Sequence, residues 1–236
     1  MKSTSKHSAP TSVVSKATMP RDCDILTIAL SKGKLLSSAI DLLARVGISV
    51  PTQSTNSRSL IFENPSCDTT FLIIRPTDVP TYVEYGSADV GIAGKDVLLE
   101  QASDVYEPLD LKFGQCKVVL AGPQEIIPRE DVGPSFRIAT KYPNITEQYF
   151  SRKGESVEVV KLYGSIELAP LVGLSERIVD LVSTGKTLHA HKLVPIETVA
   201  ESSARLIVNR ASLALKHQRV LNLINLLKTE VQRGSL

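Results

Sequence analysis

From residue 25 onward, short apolar runs alternate with segments in which apolar residues recur at helical spacing. A short apolar run is typical of a buried strand, and the helical spacing is typical of a helix packed on one face. The expected strands cover residues 25–30, 71–75, 89–94, 117–121, 137–140, 157–163, 178–182 and 205–208. The expected helices cover 35–46, the segment between Asp78 and Gly86, 96–101, a segment that closes at Gly154, 166–172 and 213–227. This alternation predicts an α/β fold with mostly parallel sheets.

The order of these elements predicts two lobes. We expect residues 25–103 plus 204–236 to form the first lobe and 104–203 the second. No stretch rich in Gly, Ser or Pro interrupts residues 25–236, which indicates crossing strands and not a flexible tether. Two strand-to-helix turns of like design, centred on Gly94 and Gly185, predict that strand ends of the two lobes face each other.

Residues 1–24 differ in character from the rest of the chain. They are rich in Ser, Thr and Lys and contain no apolar run that could serve as a signal-peptide core. We therefore expect a disordered N-terminal extension.

Composition and charge exclude several classes of function. The chain has 236 residues, of which 42% are hydrophobic and 22% charged, so it can bury a sizeable core. No apolar run approaches the roughly 20 residues that a membrane span needs. A formal net charge of +2 is too small to indicate nucleic acid or an anionic membrane as a partner. It is compatible with local basic pockets for anionic small molecules.

The cysteines and histidines give no metal-site pattern. Cys23, Cys67 and Cys116 are far apart in the sequence, which argues against a disulfide framework and a zinc site and favours a reducing compartment such as the cytoplasm. His189 and His191 could form half of a metal site, but no acid or cysteine accompanies them. We interpret them as a solvated pair at the start of a helix.

The stretch VDLVSTGKTL at 179–188 ends in Gly-Lys-Thr, as a nucleotide-binding P-loop does. The P-loop would need a glycine at position 180, where this chain has Asp180. An apolar strand that runs into Ser183-Thr184-Gly185 still predicts an anion site, because free N–H groups converge where a helix begins. The stretch therefore indicates a site for one phosphate monoester beside a group, such as sugar hydroxyls, that a carboxylate would bind.

Four stretches together resemble the catalytic subunit of ATP phosphoribosyltransferase, in its short form. They are LTIALSKGKLL (26–36), SRSLIF (57–62), IIRPTDVPTYVEYGSADVGIAGKDVLLE (73–100) and KLYGSIELAPLVGLSERIVDLVSTGKTL (161–188). Their order and spacing cover nearly all of residues 25–210. The resemblance implies the two-lobed α/β fold of type II periplasmic binding proteins, without a C-terminal regulatory domain.

The resemblance also implies an activity, a cofactor and partners. The expected reaction joins N1 of ATP to the ribose C1 of phosphoribosyl pyrophosphate and releases pyrophosphate, as the first step of histidine biosynthesis. The expected cofactor is Mg²⁺, held through the substrate phosphates and not by protein side chains. We expect a homodimer of the chain alone and a hetero-oligomer with a regulatory subunit that resembles histidyl-tRNA synthetase.

Site residues follow from the matching motifs. The resemblance implies that Ser183, Thr184, Gly185, Lys186 and Thr187 hold the ribose 5′-phosphate, and that Glu167 and Asp180 bind the ribose hydroxyls. It implies catalytic roles for Lys34, Arg58 and Arg75 at the departing pyrophosphate, and contacts to ATP from Lys32, Arg58, Ala93, Gly94 and Lys95. The family more often has Arg at the position of Lys34 and a basic residue at that of Ser59.

Each assignment has a structural alternative. Lys32 and Lys34 are also ordinary residues for an exposed turn. Gly94 and Lys95 are also ordinary residues for the start of a helix. A glutamate early in a helix, such as Glu167, is also a partner for the helix dipole. The two arginines could equally serve in surface ion pairs.

Two other functions also fit parts of the sequence. A non-catalytic two-lobed binding protein would share the fold and an anion site, but it predicts a secretion signal or a lipid anchor. A purine or pyrimidine salvage phosphoribosyltransferase usually has two adjacent acids before its phosphate loop, whereas Asp180 stands between Val179 and Leu181.

Overall fold

The computed structural model describes residues 25–51, 59–124 and 136–234. The predicted N-terminal extension (1–24) and Arg58 lie outside the described residues. Within these ranges, no helix combines the length and the apolar character that crossing a membrane requires.

The described elements follow the predicted alternation except at residues 61–64, 106–110 and 193–202, which are unpredicted strands that precede another strand with no α-helix between them. The strands are β1 (Leu26–Ser31), β2 (Ile61–Asn64), β3 (Thr69–Ile74), β4 (Val90–Gly94), β5 (Tyr106–Asp110), β6 (Cys116–Pro123), β7 (Arg137–Thr140), β8 (Glu158–Lys161), β9 (Arg177–Val182), β10 (Leu193–Ser202) and β11 (Ala204–Val208). The helices are α1 (Leu36–Arg45), α2 (Val79–Glu84), α3 (Lys95–Gln101), α4 (Pro143–Arg152), α5 (Lys186–Ala190), α6 (Arg210–Leu215) and α7 (His217–Arg233).

The described strands form two sheets. The first has the order β2-β3-β1-β4-β11-β5, and the second has the order β10-β6-β9-β7-β8. In the first, β1 pairs in parallel with β3 and β4, while β2 and β11 pair antiparallel with their neighbours. In the second, β7 pairs in parallel with β8 and β9, and β6 pairs antiparallel with β9 and β10. Both sheets are therefore mixed, and the expectation of mostly parallel sheets holds only for β3-β1-β4 in the first sheet and for β9-β7-β8 at one end of the second. The physical reason is that β11 returns directly from the second sheet and enters the first in the opposite direction.

Two crossings join the sheets, at residues 111–115 and at Ser203. We call the described residues 25–110 and 204–234 the first lobe and the described residues 116–202 the second lobe. The predicted division assigned 104–203 to the second lobe, but β5 belongs to the first sheet because it pairs with β11.

Helices cover both faces of each sheet. In the first lobe, α1 and α7 pack on one face through residues such as Leu43 and Leu227, and α2 packs on the other through Val79 and Val83. In the second lobe, α4 covers one face and α5 the other. These apolar contacts fix the strand ends that border the cleft between the lobes.

Three predictions of local structure were wrong. The expected helix over 166–172 is only a 3₁₀ turn at Ile166–Leu168, because Pro170 lacks the N–H that a longer helix needs. The expected closing helix is two helices, α6 and α7, which meet at Lys216. His189 lies in the last turn of α5 and not at its start, and His191 is the residue that follows the helix.

Candidate functional site

A cavity of about 470 Å³ lies between the two lobes, and we call it the central cavity. Lys32, Lys34 and Asp96 line it from the first lobe, and Lys141, Tyr142 and Ser183 line it from the second. The same cavity contacts Gly94 at the end of β4, so the turns at Gly94 and Ser183 border one cleft. This agrees with the prediction that the two turns face each other.

A smaller cavity of about 120 Å³ adjoins the turn after β9, and we call it the loop cavity. All seven residues predicted to bind the phosphoribosyl group line it: Glu167, Asp180, Ser183, Thr184, Gly185, Lys186 and Thr187. They come from two segments, the 3₁₀ turn and the β9–α5 connection. The structure therefore brings the predicted set together at one concave site.

The β9–α5 turn is shaped by Gly185, whose φ of +74° lies in the left-handed region. This conformation is cheap for glycine and strained for other residues. The N–H groups that follow belong to the first turn of α5, where a helix offers them no acceptor of its own. Together with the exposed hydroxyls of Ser183, Thr184 and Thr187, they form a set of donors suited to a phosphate.

Asp180 lies in β9 and is half-buried beside this turn. Burial raises its pKa, and the nearby carboxylate of Glu167 raises it further. The backbone N–H of Leu181 and the charge of Lys141 act in the opposite direction. The two carboxylates therefore lie close enough to interact, as a pair that binds neighbouring sugar hydroxyls would.

Lys34 is the predicted cation that both cavities share. It is exposed on the turn after β1 and lines the central cavity and the loop cavity together. Lys32, on the same turn, lines only the central cavity. Lys34 thus lies where anionic groups in the two cavities would meet.

The remaining predicted residues have other positions. The Lys95 ammonium lies 2.6 Å from a Glu107 carboxylate oxygen, and Lys95 does not line the central cavity. Ala93 is fully buried and does not line the central cavity. Arg75 is exposed next to Pro76, which does line it.

Sequence reasoning missed the polar contacts that join the lobes. Asp96 is buried and accepts hydrogen bonds from the hydroxyls of Tyr142 (3.0 Å) and Ser202 (2.8 Å). Burial and the adjacent Asp96 carboxylate raise the pKa of Tyr142, so its hydroxyl stays protonated and donates. The sequence did indicate that Asp96 needs polar partners, because burying an acid beside an apolar strand end without them costs free energy. The sequence could not show that these partners are Tyr142 and Ser202, since both lie on the other lobe.

The described residues contain no cluster that suggests a protein-built metal centre. In the described part of the chain, no group of three or more histidine, cysteine, aspartate or glutamate side chains could hold a metal ion.

Sequence comparison identifies relatives over most of the chain. A model of the ATP phosphoribosyltransferase family, HisG, matches residues 75–229. ATP phosphoribosyltransferase of Syntrophotalea carbinolica is 58% identical over 203 residues, which cover 85% of this chain and 93% of that protein. ATP phosphoribosyltransferase 2 of Geobacter sulfurreducens is 56% identical over 210 residues, which cover 88% of this chain and 99% of that protein. The aligned region leaves almost nothing of the Geobacter relative for a further domain, in agreement with the predicted short form.

Structure comparison gives the same result. The ATP phosphoribosyl transferase (HisG:HisZ) complex from Thermotoga maritima contains a chain with a TM-score of 0.77 and 33% identity, over 89% of this chain and 100% of that chain. The periplasmic aliphatic sulphonate binding protein of Escherichia coli has a TM-score of 0.56 at 11% identity, over 90% of this chain and 76% of that chain. At such low identity, the second likeness shows the fold alone.

The sheets and the paired cavities define a two-lobed α/β protein with the fold of type II periplasmic binding proteins and a cleft between its lobes. The chain belongs to the ATP phosphoribosyltransferase family. The predicted two-lobed α/β fold and the predicted activity, a pentosyl transfer that begins histidine biosynthesis, are thereby confirmed. The family requires a divalent metal.

Proposed function

We propose that the loop cavity binds the phosphoribosyl group and that the central cavity binds ATP. In the reaction, the lone pair of adenine N1 forms a bond to ribose C1 while the bond from C1 to the pyrophosphate oxygen breaks. The observation that supports this assignment best is that all seven predicted phosphoribosyl ligands line one cavity, which shares Lys34 with the larger one.

Asp180 and Glu167 are proposed to accept hydrogen bonds from the ribose hydroxyls. Their negative charge would also stabilise the positive charge that grows on the ribose as its bond to pyrophosphate breaks. The loop of Ser183–Thr187 would hold the 5′-phosphate and fix C1 relative to the nucleotide. Since adenine N1 has a free lone pair, orientation and charge stabilisation are sufficient, and no general base is required.

Lys34 and Lys32 are proposed to stabilise the negative charge of the departing pyrophosphate and of the ATP phosphates. Lys141 extends this cationic lining from the second lobe. The catalytic roles of Arg75 and Arg58 stay predictions, as does a contact of Ala93, Gly94 and Lys95 with ATP. The ion pair of Lys95 with Glu107 supports a structural role for that lysine.

The divalent metal is proposed to be Mg²⁺. Mg²⁺ keeps several waters and binds through substrate phosphates with few protein carboxylates, which suits the loop cavity, whose acids are Glu167 and Asp180. When bound, the ion would neutralise part of the charge on the pyrophosphate.

We also propose a cytoplasmic protein that forms a homodimer alone and a hetero-oligomer with a regulatory subunit resembling histidyl-tRNA synthetase. The HisG:HisZ complex of the Thermotoga neighbour supports the second assembly. Free thiols at Cys67 and Cys116 suit a reducing compartment.

The test mixes the purified chain with ATP, phosphoribosyl pyrophosphate and Mg²⁺, with and without a candidate regulatory subunit. Mass spectrometry would detect an ATP adduct that carries one phosphoribosyl group, and a coupled assay would detect pyrophosphate. We expect both products, and only when both substrates are present. Binding of ligands without either product, in the presence of the partner, would favour a binding protein.

A further inference from the structure

Helix α3 of the first lobe contacts the beginning of helix α4 of the second lobe through two carboxylates. Glu100 accepts hydrogen bonds from the backbone N–H groups of Asn144 (3.2 Å) and Ile145 (3.1 Å). The Asn144 side-chain amide donates in return to the backbone carbonyl of Glu100 at 2.7 Å. Three hydrogen bonds therefore join one residue of the first lobe to the first turn of α4.

The second carboxylate, Asp96, lies one helical turn earlier on α3 and is 7% exposed. It accepts from the Tyr142 hydroxyl, immediately before α4, and from Ser202 at the crossing between the lobes. The Ser202 hydroxyl also accepts from the Asp96 N–H at 2.9 Å. Asp96 and Glu100 thus attach α3 to the second lobe at two places, which restrains rotation as well as separation.

This contact caps α4 from the other lobe, and no described side chain of its own lobe caps the helix. The residue before the helix is Tyr142, and no side-chain cap forms there. The first N–H groups of a helix have no acceptor within the helix, and a negative charge at that end is favourable. Glu100 supplies both the acceptor and the charge from the other lobe.

The contact continues into the strand that carries Asp180. The N–H of Tyr142 donates to the Thr140 hydroxyl at 2.8 Å, and this hydroxyl donates to the Val179 carbonyl at 2.7 Å. The chain of hydrogen bonds from Asp96 therefore ends next to Asp180 in β9. On the first-lobe side, α3 begins directly after Gly94, which borders the central cavity.

We propose that Asp96 and Glu100 are positioning residues. They hold the second-lobe residues of the loop cavity at the distance from Lys34 that phosphoribosyl transfer requires. This inference rests on the proposed function, since it requires the phosphoribosyl group in the loop cavity and ATP in the central cavity, both of which are lined by residues of the two lobes. Lys34 lines the loop cavity only while the lobes keep this arrangement. A displacement of about 1 Å between reacting groups lowers a rate by up to about a hundredfold.

The test replaces Glu100→Ala and, from the other lobe, Asn144→Ala. Glu100 also lines the central cavity, whereas Asn144 does not, so a loss shared by both variants cannot come from a direct substrate contact alone. The matched control is Glu84→Ala, because Glu84 accepts a backbone N–H from Asp104 within the first lobe. Spin labels at Tyr85→Cys and Val172→Cys, both strongly exposed and on opposite lobes, would report the distance between the lobes in a background without native cysteines.

We expect Glu100→Ala to broaden the distance distribution and to lower kcat by about 10- to 100-fold. Asn144→Ala should change both quantities in the same direction and to a smaller extent, and Glu84→Ala should change neither. In Asn144→Ala the KM values should change less than kcat, since Asn144 lines neither cavity and their lining residues are kept. An unchanged distance distribution in Glu100→Ala, or a broadened one with wild-type kcat, would overturn this inference alone. A wild-type chain that forms no product with its partner would overturn the proposed function and this inference with it.

Discussion

Lys34 of the first lobe and Asp180 of the second line the same cavity of about 120 Å³. One side chain is a cation from the turn after β1, and the other is a half-buried acid from β9. A phosphorylated sugar needs this combination, because its hydroxyls suit a carboxylate and its phosphates suit a cation. Charge of both signs within one cavity indicates a site for a polar, anionic ligand.

Lys34→Ala should lower kcat by about 10- to 100-fold, since it removes the cation shared by both cavities. Lys32→Ala, on the same turn, should cause a smaller loss because Lys32 borders only the central cavity. Lys34→Arg should retain activity, because the charge is kept and a bidentate contact becomes possible. Steady-state kinetics with both substrates would check these values, and equal losses in the two alanine variants would contradict the shared position of Lys34.

Asp180→Asn should abolish most turnover without lowering stability. Burial and the Glu167 carboxylate raise the folded-state pKa of Asp180 above its ordinary value of 3.8. The folded protein then binds this proton more tightly than the unfolded chain, so the wild type loses stability as pH rises from 3.8 through the folded pKa. The asparagine variant avoids this loss and should melt at or above the wild-type temperature at neutral pH. Its advantage should shrink as the pH falls toward 3.8.

The same raised pKa predicts the pH dependence of the wild-type rate. If the ionised carboxylate supports the reaction, kcat/KM should fall on acidification around a pKa above 3.8. Asp104→Asn is a suitable control because Asp104 is an exposed acid of the first lobe that pairs with Arg210. A wild-type rate in Asp180→Asn would remove Asp180 from the site.

Glu176→Gln should destabilise the second lobe by about 1 to 3 kcal/mol. Glu176 accepts from the Arg137 backbone N–H at 2.6 Å and from the Arg137 guanidinium at 2.7 Å. Burial alone would raise the pKa of Glu176, but these hydrogen bonds outweigh it and hold the pKa below its ordinary value of 4.5. The stabilisation is therefore complete above pH 4.5 and is lost as the pH falls through the folded pKa.

Chemical denaturation at several pH values would measure this difference. Glu201→Gln is the matched control, because Glu201 and its partner Lys117 are both largely exposed and 3.6 Å apart. Exposed pairs contribute about 0 to 1 kcal/mol, so the control should remain close to wild type. Equal destabilisation by the two variants would contradict the importance of the Arg137 contact.

The sequence predicted those elements whose pattern is set by local burial. β1 and β4 are apolar runs because their residues are buried, and β9 is an apolar run around the buried Ile178 and Val179. Each was expected within one or two residues of its observed bounds. The sequence analysis did not predict β10, because it is an edge strand with mostly exposed residues, a proline at position 195 and two irregularities in its pairing. A half-exposed edge strand does not produce the apolar run that marks a buried one.

The candidate site likewise has a part that the sequence predicted and a part that it did not. The loop of Ser183–Thr187 is contiguous in sequence, so its motif could be recognised and its residues placed together. The bond between Asp96 and Tyr142 joins residues 46 positions apart on different lobes, and no local pattern records it. Contacts of this kind depend on how the two lobes pack against each other, and only the complete fold determines that packing.

Gly185→Ala should weaken the binding of phosphoribosyl pyrophosphate and destabilise the protein by about 1 to 2 kcal/mol. No atom lies within 4 Å of an added Cβ, so the cost arises from the φ of +74° and not from a clash. Gly164→Ala is the matched control, because it also adds a Cβ in open space but has no positive φ. We expect a higher KM for phosphoribosyl pyrophosphate and a lower melting temperature only in Gly185→Ala, because the loop that presents the N–H groups must shift to relieve the strain. A higher KM with an unchanged melting temperature would instead place the methyl group against the bound phosphate.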